Sequence, residues 1–405
     1  MNKDAKMTGG GEKIADGVVL PIYLDNHATT PMDPRVLDEM LPYFRQKFGN
    51  AASSNHSFGW TGAEAVHAAR DRIAKLIGAS AREIIFTSGA TESDNLAIKG
   101  VAEMYREKGD HIITAVTEHK AVLDSCKRLE KAGYRVTYLA VQNDGLIDLD
   151  ELKRAMSDKT ILVTIMAANN ETGVLQPWAQ IGHLCHERGV IFHTDATQAI
   201  GKVSVDVIRD NVDLLSISAH KMYGPKGVGA LYVRKGTRLA PVAFGGHHER
   251  DRRPGTENVP GIAAFGAAAE LSGRRLREDS ARLAVLRDRL ESMILDRIPG
   301  AGVNGSKWDR TPNTSNLYFD GVDGEAMVIA LDLKGLAVST GAACSSGAIE
   351  PSHVLTAMGL APERARASIR FSIGKHNNED DIDFALSVIP ATIARLRELS
   401  PTYSR

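Results

Sequence analysis

The sequence predicts an α/β protein, with a mostly parallel mixed sheet in a large domain and a smaller α+β domain. Three observations favour this architecture. From about residue 83, short β-branched runs alternate with roughly 10–20 residues of helical periodicity, which is typical of parallel sheets. After Pro260 a long helical stretch follows, and beyond it the pattern changes to strand, helix, loop, helix, strand and helix. At 405 residues, the chain also exceeds the usual size of a single hydrophobic core.

Short apolar runs predict the strands of the main sheet. In chain order they are EIIFTS, HIITAVT, YRVTYLAV, ILVTIMAA, VIFHTD and VDLLSISA. A further run, GVGALYVR, follows the last of these after so short a link that we expect it to lie antiparallel to its neighbour. The long helix is predicted from Ala263 to about Leu295, in a stretch rich in Ala, Leu, Arg and Glu.

The composition excludes several classes of protein. With 43% hydrophobic and 24% charged residues, the chain is typical of soluble globular proteins. Because 49 basic and 50 acidic residues leave a formal charge of -1, no overall field favours nucleic acid or a membrane. No apolar run approaches the roughly 20 residues of a membrane span. The cluster of His183, Cys185 and His186 lacks a spaced second pair of ligands, so we predict no metal site.

The three cysteines are too few for a disulfide framework and favour a reducing compartment. Cys126 and Cys185 repeat at helical spacing with apolar neighbours, so we expect them to be small core residues. Cys344 lies in STGAACSSGAIEPSH, which contains too much Gly, Ala and Ser to pack firmly. We therefore expect the thiol of Cys344 to be exposed, mobile and chemically available.

Polar residues follow the predicted parallel strands at their carboxyl ends, where α/β sheets gather functional groups. The first strand runs into TSGATESDN, where the backbone N–H groups of Ala90 and Thr91 at a helix start predict a phosphate seat. Taken alone, this turn is also an ordinary helix cap. The later strand ends carry Glu118, His119, Asn169, Asn170, Glu171, Asp195, Gln198, Ser218, His220 and Lys221. So many polar groups at one sheet edge predict an active site.

Together these side chains match the needs of pyridoxal phosphate. Lys221 lies between a buried-looking strand and a glycine-rich turn, and a lysine there can form a Schiff base with an aldehyde cofactor. The ordinary alternative is a solvated lysine that opens a loop. Asp195 would keep the pyridine nitrogen protonated, Gln198 would bond the ring hydroxyl oxygen, and His119 would stack on the ring. The phosphate would be bonded by Thr91, Ser218 and His220.

Eight motifs in this order resemble those of the cysteine desulfurases in the class V aminotransferase-like group. They are YLDNHATTP, TSGATESDN, TEHKAVL, NNETG, HTDATQA, SAHKMYGPKG, STGAACSSGAIEPSHVLTAMGL and SIRFSIG. The last two are similar to the NifS/IscS-type subgroup, which has this extended cysteine loop. The resemblance covers nearly the whole chain, from about Tyr23 to Gly374. One segment, GGHHERDRRPGTEN, departs slightly from the family pattern in its polar centre.

The resemblance implies a fold-type I pyridoxal-phosphate enzyme that forms a homodimer with active sites at the interface. It implies conversion of L-cysteine to L-alanine, with the sulfur held as a persulfide on Cys344 and passed to an acceptor such as an iron–sulfur scaffold protein. Lys221 would be the cofactor lysine and His119 the stacking and acid–base histidine, with Asp195 and Gln198 on the ring. The remaining positions are Asn170 and Arg370 for the substrate carboxylate and Thr256 for the phosphate of the partner subunit.

We predict a disordered tail at residues 1–20, a large cofactor-binding domain at 31–275, and a small domain formed by 21–30 and 276–405. The beginning of the chain lacks the apolar core of a signal peptide and, unlike a transit peptide, carries acidic residues, so we expect a cytoplasmic protein.

Alternative interpretations remain open at this point. A selenocysteine lyase would use the same cofactor, and a class V aminotransferase would have no use for Cys344. A non-catalytic sulfur carrier or metal scaffold would use Cys344 and the histidines as ligands. Asn170 could instead cap a turn, Arg370 could pair with a surface carboxylate, and Asn26 and His27 could order the domain junction.

Overall fold

The protein is described here by a computed structural model, which covers residues 18–341 and 351–399. Its strands are β1 (Ile22–Tyr23), β2 (Ile84–Thr87), β3 (His111–Ala115), β4 (Arg135–Leu139), β5 (Thr160–Thr164), β6 (Ile191–Asp195), β7 (Leu214–Ser218), β8 (Gly229–Val233), β9 (Ala301–Val303), β10 (Thr314–Phe319), β11 (Leu336–Ala337) and β12 (Ser368–Ser372). Its helices are α1 (Pro34–Met40), α2 (Pro42–Arg45), α3 (Ser57–Leu76), α4 (Ala90–Met104), α5 (Lys120–Glu130), α6 (Leu149–Ala155), α7 (Trp178–Arg188), α8 (His248–Asp251), α9 (Val259–Arg297), α10 (Gly324–Asp332), α11 (His353–Ala357), α12 (Pro362–Arg366) and α13 (Glu379–Leu399).

The main sheet has seven strands within the described residues, in the order β2-β8-β7-β6-β5-β3-β4. The strands from β3 to β7 pair in parallel, whereas β8 is antiparallel to both of its neighbours, β2 and β7. Consequently β2 points in the same direction as the parallel strands, and β8 alone is reversed. The predicted α/β class is confirmed, as is the antiparallel placement of the run GVGALYVR.

Both faces of the main sheet are covered by helices, and for this reason β2, β3, β5, β7 and β8 are buried at every position. Consecutive strand residues point to opposite faces. Those that pack with α3, α7 and α9 are Phe86, Ile113, Val163 and Leu215. Those that pack with α4 and α5 are Ile85, Ile112, Leu162 and Leu214. Strand β4 lies at the edge and is more exposed.

A second, antiparallel sheet in the order β12-β10-β9 has its own hydrophobic core, and β1 pairs in parallel with β11 beside it. Val18 is buried in this second core and Leu20 packs against it, so residues 18–20 of the predicted tail are ordered. Residues 1–17 lie outside the described part of the chain.

Helix α9 joins the two cores. It begins after Asn258, whose side chain accepts the backbone N–H of Gly261, and it continues for 39 residues. Its first half packs in the core of the main sheet, whereas Leu283 to Ile294 pack in the second core. The domain division at residue 275 stays a prediction, since α9 runs through that position without a break. In the described ranges, we find no helix whose length and apolar character would let it cross a membrane.

A buried ion pair fastens the turn before α9 to the main sheet. The Arg70 guanidinium on α3 forms a two-bond fork with the Glu249 carboxylate, at 2.7 and 2.8 Å. Glu249 also accepts the backbone N–H of Phe86, and the ring of Phe86 lies under the guanidinium. Within α8, Glu249, Arg250 and Asp251 all have positive φ, between 46° and 64°, so this short element is a left-handed turn rather than a regular helix. Because non-glycine residues avoid this region, the ion pair must hold a strained turn.

We expect Arg70→Met to lower the free energy of unfolding by about 3–5 kcal/mol, because it leaves the Glu249 carboxylate buried without its partner. The measurement is urea unfolding of the full chain, followed by fluorescence and circular dichroism. Arg72→Met on the same helix is the matched control, since Arg72 is 34% exposed and its ion pair with Glu39 lies at the surface. The control is expected to cost less than about 1 kcal/mol. Equal costs in the two variants would contradict the structural role of Arg70.

Candidate active site

The strand ends of the main sheet bring three predicted site residues together. Asp195 ends β6, and the paired strand β7 leads directly into a 3-10 turn at Ala219–Lys221. His119 caps the start of α5, after β3. Burial lowers the pKa of His119, the Asp195 carboxylate opposes this shift, and Lys221 adds to it. Asp195 and Lys221 are thus both near enough to the His119 imidazole to influence its charge.

The carbonyl oxygen of His27 accepts hydrogen bonds from two of the predicted cofactor-binding side chains. The Lys221 amine donates to it in a short contact and to the carbonyl oxygen of Ala28 at 2.8 Å. The Gln198 amide donates to the same His27 oxygen through Nε2, at 2.9 Å. Lys221 and Gln198 therefore lie beside each other on the segment that contains YLDNHATTP.

Three carboxyl groups lie close together under the edge of the sheet. Asp195 accepts the backbone N–H of Thr197 at 2.9 Å and is 8% exposed. Burial raises the pKa of Asp94 well above its usual range, and the Asp195 charge adds to this effect. Burial likewise raises the pKa of Glu118, which accepts the Met166 N–H. Asp94 and Glu118 are thus favoured in their neutral forms beside Asp195.

The predicted phosphate seat lies at the start of α4. Ala90 is half-buried and Thr91 is exposed, and their backbone N–H groups have no acceptor among the described residues. Gly89 precedes them, and a Cβ built on it would meet only the hydroxyl oxygen of Ser218 within 4 Å. The seat is therefore open in front of the helix and bordered by Ser218.

His220 lies at the same strand end as Ser218 but is engaged elsewhere. Its Nδ1 is 3.0 Å from the hydroxyl oxygen of Thr29, and its carbonyl oxygen accepts two donors from Thr30. Burial lowers the pKa of His220 to about 4, and Lys221 contributes to the lowering. A neutral imidazole at this place would act on an anion through a hydrogen bond rather than through charge.

The two residues predicted for the substrate carboxylate are in direct contact. The Arg370 guanidinium donates to the carbonyl oxygen of Asn170 at 2.8 Å and to the Asp25 carboxylate at 2.6 Å. The Nε atom of Arg370 is buried and has no partner among the described residues. Asn170 also lines a cavity of about 610 Å³ together with His119 and Glu171. Arg370 itself is not among the residues that line this cavity, and it reaches the cavity wall only through its hydrogen bond to Asn170.

One predicted residue, Thr256, is not gathered at this edge, and another, Cys344, is not covered by the structure. Thr256 is exposed in the segment that precedes α9, and no side-chain hydrogen bond is made by it within the described ranges. Cys344 lies outside the described residues, which stop at Gly341 and resume at Pro351. The two other cysteines are fully buried, as predicted, and burial raises the pKa of the Cys126 thiol to about 12 and that of Cys185 further.

The donor set at this edge fits pyridoxal phosphate. It contains an amine for an aldehyde, a carboxylate for a pyridine nitrogen and unpaired backbone N–H groups at a helix start for a phosphate. In the part of the chain covered by the structure, no group of three His, Cys, Asp or Glu side chains is placed to hold an ion.

Two residues that the structure places in the site were not among the predicted site residues, although His27 was expected to order the domain junction. His27 donates from Nδ1 to the Asn170 carbonyl oxygen at 3.2 Å, and its Nε2 accepts the Thr314 hydroxyl at 2.7 Å. Lys202 is buried, and its amine reaches Gln198. The motif YLDNHATTP was a signal for His27, whereas Lys202 follows a turn with no distinguishing pattern.

Comparisons with known proteins agree with this geometry. Residues 22–384 match the family model "Aminotransferase class-V". The chain is 53% identical to the cysteine desulfurase IscS of Anaeromyxobacter dehalogenans and 52% identical to that of Rickettsia felis, in each case over 95% of this chain and at least 94% of the relative. A solved NifS-like protein superimposes with a TM-score of 0.88 at 38% identity, covering 93% of this chain and 100% of that chain. A NifS-like protein from Rickettsia africae has a TM-score of 0.83 at 32% identity, over 92% of this chain and 99% of that chain.

We expect Asp94→Asn to become more stable relative to the wild type as the pH rises. An acid with a raised pKa in the folded state stabilises the fold below its usual pKa, and that contribution is lost as the pH rises towards the raised value. Asparagine cannot ionise, so the variant avoids this loss. The difference in the free energy of unfolding should grow by up to about 1.4 kcal/mol per pH unit.

Urea unfolding between about pH 5 and pH 8 would measure this difference. Asp124→Asn is the control, because the Asp124 side chain is 69% exposed on α5 and should give a difference that hardly changes with pH. A constant difference for Asp94→Asn over the same range would show that the buried carboxyl is already ionised at the lower pH.

Proposed function

Because the chain belongs to the class-V aminotransferase family, we propose that it takes sulfur from L-cysteine as a persulfide on Cys344 and leaves L-alanine. The chain is a pyridoxal-phosphate-dependent cysteine desulfurase, and the family, fold and cofactor predicted from its motifs are confirmed. The observation that best supports the proposed residue roles is the common site of Lys221, Asp195 and His119 at one edge of the main sheet.

Six groups of this chain would hold the cofactor. The Lys221 amine would take its aldehyde carbon, Asp195 its ring nitrogen, Gln198 its ring hydroxyl oxygen, and the N–H groups of Ala90 and Thr91 its phosphate. The imidazole of His119 would stack on the ring, and burial favours the neutral form of that imidazole. When bound, pyridoxal phosphate withdraws electrons from the substrate Cα and so makes the Cα proton acidic.

The chain's own side chains then bind the substrate and move the proton. The substrate carboxylate would be held by Arg370, whose buried Nε lacks a partner within the described ranges and whose plane is fixed by Asp25 and the carbonyl oxygen of Asn170. The Lys221 amine is the base proposed for the Cα proton, because it is the amine that lies beside Asp195 and His119.

The thiolate of Cys344 would attack the substrate sulfur. A sulfur–sulfur bond forms, the carbon–sulfur bond breaks, and the electron pair of the broken bond stays on the carbon skeleton, which is protonated to alanine. Neither of the other cysteines suits this step, since Cys126 and Cys185 are fully buried and their raised pKa values disfavour the thiolate.

The proposal includes a homodimer in the cytoplasm. Exposed large side chains on neighbouring elements support a second subunit, namely Leu41, Phe44, Phe48, Phe58 and Trp60. Phe48 and Phe58 are in ring contact at 5.2 Å, and so apolar a patch is typical of an interface. Thr256 is exposed and so is available to the phosphate site of a partner. Two unpaired buried cysteines agree with a reducing compartment.

We propose that the persulfide sulfur passes to a second protein, such as an iron–sulfur scaffold protein. The relatives from Anaeromyxobacter and Rickettsia carry the name IscS and match this chain over nearly their full length, which supports a shared role.

We expect Cys344→Ser to reduce sulfide release below about one hundredth of the wild-type rate, because a hydroxyl does not ionise near neutral pH and attacks sulfur poorly. Earlier steps need only Lys221 and the cofactor, so added cysteine should still change the cofactor absorption of this variant. The measurements are sulfide and alanine release together with absorption spectra.

Cys126→Ser and Cys185→Ser are the matched controls, and any loss in them should follow a lower free energy of unfolding rather than a missing nucleophile. Full sulfide release by Cys344→Ser, or its loss only in Cys185→Ser, would contradict the assignment of Cys344. Activity on selenocysteine that survives Cys344→Ser would favour a selenocysteine lyase.

We expect Arg370→Lys to raise the KM for cysteine about 10- to 100-fold, because a planar fork loses its two-bond geometry when a point charge replaces it. Lysine keeps a positive charge beside Asp25, so the cofactor spectrum should stay that of the wild type. Steady-state kinetics at several cysteine concentrations would measure the effect. Unchanged KM and kcat would contradict a role in substrate binding and would leave Arg370 as a structural partner of Asp25.

A further inference from the structure

We propose that Lys202 is a positioning residue that fixes the amide orientation of Gln198, so that an N–H group of this amide faces the cofactor. The inference rests on the proposed function, in which Gln198 bonds the hydroxyl oxygen of the cofactor ring. Lys202 does not touch the cofactor in this arrangement and acts only through Gln198.

The contacts of the Gln198 amide determine which of its two ends is oxygen. The Lys202 amine lies 2.9 Å from Oε1 and 3.1 Å from the carbonyl oxygen of the same residue. An N–H group of the Lys202 amine that points at this atom needs an acceptor, which the amide oxygen supplies and the amide nitrogen does not. At the other end, Nε2 lies 2.9 Å from the carbonyl oxygen of His27, which can only accept. Both neighbours select the same orientation.

This orientation leaves one N–H of the Gln198 amide for the cofactor. Of the two hydrogens on Nε2, one is used by His27, whose carbonyl oxygen also receives the Lys221 amine. The other is directed away from Lys202, because Lys202 occupies the oxygen end. A rotated amide would place its oxygen against the oxygen of the ring and would repel it. Lys202 therefore favours the donor that the proposed contact requires.

The surroundings of Lys202 are consistent with a residue that orients a neighbouring amide and does not bind a ligand itself. Its side chain is buried, and burial lowers its pKa well below the usual value, with Lys221 and Arg370 adding to the effect. Within the described residues, both contacts of its amine are with Gln198, at 2.9 Å to the side-chain oxygen and 3.1 Å to the carbonyl oxygen. The cavity of about 30 Å³ that borders Lys202 and Lys221 is large enough for a water molecule but too small for a substrate.

The backbone of Lys202 is held independently of its amine. The Ser280 hydroxyl on α9 donates to the carbonyl oxygen of Lys202 at 2.6 Å. This contact offers a control for purely structural effects, because Ser280→Ala weakens the support of Lys202 without touching the Gln198 amide.

The test uses the cofactor-loaded enzyme and the pH midpoint of the cofactor's absorption change. An N–H donor stabilises negative charge on the ring oxygen, so its loss should raise the midpoint by about one pH unit. We expect this rise in Lys202→Met and in Gln198→Ala, and no further rise in the double variant. The kcat of Lys202→Met should fall about tenfold, whereas its KM for cysteine should change less than twofold, since the substrate carboxylate is held elsewhere.

Two controls complete the design. Lys202→Gln keeps an N–H donor and should shift the midpoint less than Lys202→Met does, and it serves as the test if Lys202→Met does not fold. Ser280→Ala should leave the midpoint at the wild-type value even if the free energy of unfolding falls.

Three outcomes would overturn the inference or its premise. A wild-type midpoint in Lys202→Met, or additive shifts in the double variant, would show that Lys202 does not act through Gln198. If the wild-type protein binds pyridoxal phosphate but the absorption of the bound cofactor does not change with pH, the proposed function would instead be overturned. Comparison of the wild type with the variants therefore separates the two failures.

Discussion

One short segment, centred on His27, holds the active site together. Its carbonyl oxygen receives donors from Gln198, which follows β6, and from Lys221, which follows β7. Its imidazole bonds the Asn170 carbonyl oxygen on one side and the Thr314 hydroxyl of β10 on the other. Its backbone N–H donates to the Ser372 hydroxyl of β12 at 2.9 Å. Three strand ends of the main sheet and two strands of the second sheet thus meet at a single residue, and the relative placement of the reactive groups depends on it.

Burial favours the neutral forms of several titratable groups around this segment. On one side, burial lowers the pKa of Lys202 and favours its neutral form beside Lys221. On the other side, burial raises the pKa of Asp94 and Glu118 and favours their neutral forms beside Asp195. Burying several ionised groups together would cost more than their few hydrogen bonds return. The interior can therefore hold many titratable groups while few of them carry charge.

Local sequence was sufficient for the fold and for the strand ends, but not for the residues that act between elements. Apolar runs and strand-end polar residues predicted β2 to β8 and the positions of His119, Asp195 and Lys221, because these depend on neighbours in sequence. The contact of Lys202 with Gln198 depends on how a turn folds back, and that of His27 depends on two sheets meeting. Neither leaves a periodic pattern. The left-handed turn at Glu249–Asp251 was likewise beyond prediction, since its support comes from Arg70 on a distant helix.

Helix α9 has a mechanical consequence. It contributes its first half to one hydrophobic core and its second half to the other, with no interruption where the two meet. A hinge at their junction would therefore have to bend or break α9 itself. Loss of either core would also fray the helix on which the other relies, which couples their melting.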